Sequence, residues 1–145
     1  MKRYKRYICF LLVISMLIGI PVAAQSEIEP RESAFFLSHD AFISKVTENR
    51  FKVWFDVTAA GTMQKLGACE IEIDRSTDGS NWELIASYDS AFYPAMIASN
   101  TCSHTSYITY HAAVPGYYYR AYVTFYAKNS TGTGKLFRYS AAFQM

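Results

Sequence analysis

Apolar and polar positions alternate most sharply over residues 116–126, Gly-Tyr-Tyr-Tyr-Arg-Ala-Tyr-Val-Thr-Phe-Tyr. Aromatic and β-branched residues favour a pleated strand. Pro115-Gly116 supplies a turn before this segment, and the polar, Gly-containing residues 129–134 supply a loop after it. A period of two places Tyr117, Tyr119, Ala121, Val123 and Phe125 on one face, with Tyr118, Arg120, Tyr122, Thr124 and Tyr126 on the other. The first set is mostly apolar and is predicted to point inward. The second carries a guanidinium, a hydroxyl and three phenols, and is predicted to face water. A strand of this kind needs a second sheet over its inner face.

The rest of the chain supplies one. In residues 51–58, Phe51, Val53, Phe55 and Val57 form a core face opposite Lys52, Trp54, Asp56 and Thr58, which leaves Trp54 either half-covered by a loop or exposed for binding. Residues 68–75 alternate as well. Glu70, Glu72 and Asp74 cannot all be buried without partners, so they and Ala68 face outward while Cys69, Ile71 and Ile73 go inward. Ser76-Thr77-Asp78-Gly79-Ser80-Asn81 reads as a hairpin turn hinged on Asp78-Gly79. In its partner strand, residues 82–88, Trp82, Leu84 and Ala86 share one face. Residues 34–47 read as an edge strand broken near His39-Asp40, with a short helix as the alternative, and residues 61–67 as a loop. Residues 89–103 lack either period and contain Pro94; they are expected to form a long loop packed by Phe92, Tyr93, Met96 and Ile97. Strands resume over residues 104–113 and 135–143. About seven strands with hairpin-sized gaps and no helical period predict an all-β, antiparallel two-sheet sandwich.

The N-terminus changes the charge. A basic start, an apolar run over residues 8–20 and Val22-Ala23-Ala24 together form a secretory signal peptide, predicted to be cut after Ala24. The expected organisation is residues 1–24 as signal, 25–32 as a flexible lead-in and 33–145 as one domain. The mature protein would begin at Gln25 and be secreted to the extracellular side, meeting the membrane only through its signal during export. Lys2, Arg3, Lys5 and Arg6 leave with the signal, so ten basic residues remain against 12 acidic ones, for a net charge of −2. A nucleic-acid partner needs a clustered basic surface, and this balance argues against one. Cys69 and Cys102 remain. In an exported protein two cysteines pair more often than they stay as separate thiols, and closing a loop of this length stabilises by ~3–4 kcal/mol in the chain-entropy model.

Two segments together resemble the fibronectin type III and immunoglobulin-like superfamily as it occurs in bacterial secreted proteins. Residues 71–85, from Ile71 through Asp78-Gly79 and Trp82, are similar to that family's third strand, its turn and the strand that follows. Residues 114–134, with Pro115-Gly116 and then Asn-Ser-Thr-Gly-Thr-Gly, are similar to its sixth strand and the loop to the seventh. The likeness covers roughly a third of the mature chain. It implies a tyrosine that folds back to bond the preceding corner, a place open to Tyr117 or Tyr119. The long loop before His104, the cysteine pair and the tyrosine density depart from the family's pattern. The chain is also similar to short, functionally uncharacterised secreted proteins of Gram-positive bacteria that consist of one such domain. The resemblance implies spacer, adhesion or binding roles and carries over no catalytic residue.

Little else points to chemistry. Asp74-x-Ser76-x-Asp78-Gly79 partly matches a calcium loop, but its closing acid is missing because Ile85 stands there. His104 and His111 lie an odd number apart, on opposite faces of one strand, which argues against a shared metal site. His39-Asp40 with a serine lacks any hydrolase signature. Glu70 and Glu72 form a solvated row, without the two contrasting environments of a glycosidase pair. No catalytic residue, metal ligand or cofactor is expected. Tyr118, Arg120, Tyr122 and Tyr126, with Trp54, are the candidate binding face, because phenols bury area at little entropic cost. The alternative is cross-strand packing alone. The expected role is a non-enzymatic interaction module for protein or glycan at the cell surface. The rivals are an antimicrobial or toxin-like effector and, behind it, a hydrolase; oligomeric state is left open.

Overall fold

The computed structural model describes residues 34–145. The proposed signal, the lead-in and the start of the predicted domain at residue 33 lie outside the described residues. The described chain is all-β: β1 (Phe36–Thr47), β2 (Arg50–Met63), β3 (Lys65–Ser76), β4 (Glu83–Asp89), β5 (Ile97–Ala98), β6 (Thr101–Tyr110), β7 (Tyr118–Lys128), β8 (Thr133–Tyr139) and β9 (Phe143–Gln144). One antiparallel sheet has the order β1-β2-β6, and the other has the order β4-β3-β7-β8, with β5 beside β3 and β9 beside β7. The seven long strands match the sandwich expected from the alternation.

The two inner faces meet as the pattern requires. Phe51, Val53, Phe55 and Val57 of β2 are fully buried, as are Ala121, Val123 and Phe125 of β7. Phe51 meets the ring of Tyr119 at 5.0 Å between centroids, and Phe55 meets Phe125 edge-on at 6.4 Å. Tyr119 is also fully buried, and its hydroxyl accepts a 2.8 Å hydrogen bond from the backbone N–H of Val114. Tyr119 therefore makes the corner bond. Tyr117 lies half-buried with its ring 5.0 Å from the Arg75 guanidinium.

Two β-bulges move side chains away from their expected faces. Ala68 pairs with Phe125 and Glu70 with Thr124, so Cys69 is an extra residue with no opposite number on β7. The bulge sends Ala68 into the core, and Cys69 turns out with Glu70. On β4, Ile73 faces Ala86 but Asp74 faces Leu84, so Ile85 is the extra residue there. Leu84 consequently stands 54% exposed, while Ile85 and Ala86 both pack against the core.

The Cys69–Cys102 disulfide is not formed; both are free thiols. Inward alternation would have aimed Cys69 at the facing sheet. The bulge instead points it outward, where its thiol donates to the Thr124 carbonyl at 3.4 Å. Cys102 is exposed on β6, in the other sheet.

The expected 61–67 loop is also absent. β2 runs into β3 with only Gln64 between them, and Met63 and Leu66 plug into the core on either side of the crossing. Gln64 itself is tied by its N–H to the Lys128 carbonyl at 2.7 Å. The 89–103 loop is shorter than expected, because β5 returns to pair with Leu66 and Gly67 and β6 already begins at Thr101. Met96, 1% exposed, pins the loop from inside, and the Asp89 carbonyl receives the N–H groups of Phe92 and Tyr93. At this crossing a Cβ on Gly67 would lie 2.0 Å from the Met96 carbonyl oxygen, so only glycine lets the loop lie on β3.

Elsewhere the turn chemistry is as read. Asp78 Oδ1 accepts the N–H groups of Ser80 and Asn81, both at 2.8 Å, and Gly79 takes a φ of 72°. Those bonds hold the Asp78 carboxyl well below the ordinary carboxylate range. Its oxygens are already occupied by the turn itself, which accounts for the partial calcium-loop pattern without an ion.

Two predictions follow from these contacts. Tyr119→Phe deletes the corner bond without changing the ring and should lower unfolding free energy by about 1–2 kcal/mol in urea titration. A midpoint equal to wild type would mean that the hydroxyl contributes nothing. Gly67→Ala should cost about 1–3 kcal/mol, because its methyl meets rigid backbone and the loop must shift.

Candidate functional site

The outward side chains of β3, β7 and β8 form one continuous surface, and strand register decides which residues meet. Glu72 of β3 lies opposite Tyr122 of β7, which lies opposite Tyr139 of β8. One row along, Glu70, Thr124 and Phe137 are in line, and Asp74 faces Arg120. The Tyr122 ring packs 4.8 Å from Tyr139 and 5.3 Å from Phe137. Tyr139 is 49% and Phe137 63% exposed, so the rings form a surface that opens onto solvent.

Arg120 holds the centre. Its Nε donates to Asp74 Oδ2 at 2.9 Å, and its guanidinium carbon lies 4.4 Å from the ring centroids of both Trp82 and Tyr139. A planar cation between two rings with one edge tied to a carboxylate has little freedom left, so its remaining N–H groups are pre-aimed. Burial, then Tyr139 and the Glu72 and Glu70 carboxylates, push the Tyr122 phenol above its ordinary range. Burial followed by repulsion from Glu70 and Asp74 raises the Glu72 carboxyl.

The four β7 residues singled out from sequence do share this face. Tyr118 sits at one end, opposite Ser76 and beneath Gly79, and Tyr126 at the other, opposite Lys135. Trp54 is not among them. It lies on the outer face of the other sheet, between Phe42 and Tyr107 at 6.2 and 4.6 Å, with its indole N–H donated to Ser44 Oγ. Sequence reasoning missed Phe137 and Tyr139 and assigned Trp82 a purely folding role. The period-two relation of 137 and 139 was visible; the register that brings them to Tyr122 was not.

The histidines go elsewhere. His39 and His104 flank Val57 on the inner side of their sheet, with edge contacts to Phe125 and Phe55 respectively. Burial and the Arg138 charge lower the His39 pKa. Asp40 is on the opposite face of β1 and pairs with Arg138 at 3.1 Å, so the two do not form a relay. Among the described residues no cluster of three metal-ligating side chains is present.

No family model matches the chain, and no curated protein matches it. Among the solved structures that are similar in part are the following two. Sporulation control protein Spo0M from Bacillus subtilis aligns at 8% identity and a TM-score of 0.42, over 71% of this chain and 47% of its own. A protein from Archaeoglobus fulgidus aligns at 8% identity and a TM-score of 0.35, over 76% of this chain and 97% of its own. This chain thus spans about half the length of Spo0M, and neither likeness is close enough to carry an argument about function.

A raised carboxyl pKa means that folding favours the protonated form, so ionised Glu72 costs stability at neutral pH. That cost is absent below the ordinary value of 4.5 and appears as pH rises through the raised one. Glu72→Gln should therefore raise the melting temperature at neutral pH, with the gain vanishing in acid. An equal gain at both ends of the titration would refute the account.

Proposed function

We propose that this protein is a non-enzymatic binding module that meets a protein or glycan at the cell surface through the outer face of β3, β7 and β8. The observation that carries the reading is the contiguous, half-open ring surface of Tyr122, Phe137 and Tyr139 around the immobilised Arg120. Stacked rings present flat apolar area, and Arg120 and Glu72 offer directed donors and acceptors beside it. That combination suits the apolar face and hydroxyl edge of a sugar ring, or the hot spot of a protein interface. The immobilised side chains have little entropy left to lose on binding.

The strand order β1-β2-β6 over β4-β3-β7-β8 and the Tyr119 corner bond support the resemblance to the fibronectin type III and immunoglobulin-like sandwiches. Export through the N-terminal signal and a secreted location complete the proposal, and both rest on the sequence.

An array of cell-surface glycans and extracellular proteins tests it. At least one ligand class should bind, and Tyr139→Ala combined with Phe137→Ala should weaken binding by tenfold or more, as expected for central aromatic anchors. Trp54→Ala, on the other sheet, should leave binding intact. Absence of binding, or equal binding by the double variant, would remove the reading.

A further inference from the structure

Beyond the ring surface, the same sheet ends in a cleft. The 89–97 segment arches off β4 before β5 rejoins β3, and the gap beneath the arch has a volume of about 420 Å³. Ala91, Pro94 and Ile97 give it an apolar wall, and Lys65, Cys69, Ser90, Tyr126 and Lys135 line the remainder. Its geometry is set by backbone. Gly67 allows the arch to close on β3, and the Cys69 bulge turns a thiol into the cleft where regular alternation would have placed it in the core.

The charged side chains that line the cleft are both lysines, while the Glu70 and Asp89 carboxylates lie close to Cys69 outside the lining. The ion pairs among the described residues are Arg75–Glu83, Arg120–Asp74 and Arg138–Asp40, so within them neither Lys65 nor Lys135 has a direct carboxylate partner. Lys65 Nζ is oriented by a 2.9 Å hydrogen bond to Ser99 Oγ. Hydrogen bonds turn the two nearby carboxylates away from the cleft without removing their charge: Asp89 Oδ1 accepts the Ala91 N–H at 2.7 Å, and Glu70 accepts the Ser87 hydroxyl. Cys69 is held protonated by burial, which makes it a neutral wall and leaves the two ammoniums as the charged groups of the lining.

We propose that this cleft binds a small amphipathic carboxylate, with its apolar body against Pro94 and Ile97 and its anionic end between Lys65 and Lys135. The volume lies within the range of small-molecule sites, which are mostly apolar with a few convergent polar groups. Two ammoniums without an ion-pair partner among the described residues, set over an apolar wall, favour an anionic amphiphile over a neutral or cationic one. The site is separate from the Tyr122–Phe137–Tyr139 surface, so either can fail without the other.

The test uses 4-phenylbutyrate, octanoate and the neutral isostere 4-phenylbutanol with the full chain. Calorimetry measures affinity, and iodoacetamide labelling read by peptide mass spectrometry reports on Cys69, with exposed Cys102 as internal control. At least one of the two carboxylates should bind saturably and slow Cys69 labelling without changing that of Cys102. The alcohol should bind about tenfold more weakly, as should the carboxylate to Lys135→Gln, the scale of one lost charge-assisted contact. Ala91→Trp, a filling change on the exposed arch, should abolish protection while leaving the melting curve unchanged, and Tyr139→Ala should have no effect. The proposal is overturned if neither carboxylate protects Cys69 at millimolar concentration. It is equally overturned if acid and alcohol bind alike, or if Lys135→Gln binds as wild type does.

Discussion

The fold depends on burying one face of β7 against β2. Tyr119, Ala121, Val123, Phe125 and Ala127 are all fully buried, and Phe51 and Phe55 reach across to meet the first and fourth of these. At roughly 25 cal/mol per Å² of apolar surface removed from water, a run of this kind is a large contribution to the interior. Because side chains alternate, it also fixes which residues of the strand face water. The ring surface is therefore positioned by the core. Moving β7 by one residue would bring Arg120 and Tyr122 into the interior, which that interior cannot accept.

This also explains what the sequence makes legible. The β7 and β2 assignments need only a local period and a charge count, and both strands lie as read. The hairpin at Asp78-Gly79 was equally local, whereas a corner tyrosine was implied by the family resemblance and alternation only narrowed it to Tyr117 or Tyr119. The errors arise where local alternation fails. A bulge costs one residue and reverses every face beyond it, and neither Cys69 nor Ile85 is flanked by a residue that announces one. The lost disulfide is the first consequence and exposed Leu84 the second. Residues 61–67 looked like a loop because of their two glycines. One of them, Gly67, is instead required by a carbonyl nearly thirty positions later in the chain.

The candidate site was half visible for a similar reason. β7 supplied Tyr118, Arg120, Tyr122 and Tyr126 from one strand, where spacing suffices. Phe137, Tyr139 and Trp82 join them through register between strands, a relation that one sequence does not contain. Trp54 failed in the opposite way: it looked anomalous among polar neighbours, yet it belongs to a ladder of its own with Phe42 and Tyr107, with Lys52 lying over the rings. Both sheets carry aromatic rows on their outer faces. Open rings occur on both, Phe42 and Tyr107 on one and Phe137 and Tyr139 on the other; the row beside Arg120 is set apart by a cation that a carboxylate, Asp74, holds in place.

The position of those rings has a dynamic consequence. β3 is paired along most of its length on both sides, whereas β8 is an edge strand bonded to β7 alone. Local opening therefore begins far more readily at β8 than at β3 or β7. Phe137 and Tyr139 belong to the part of the sheet that can fray and re-form while the interior stays shut. Tyr122 and Arg120 belong to the part that cannot. The surface joins a rigid half to an adjustable one.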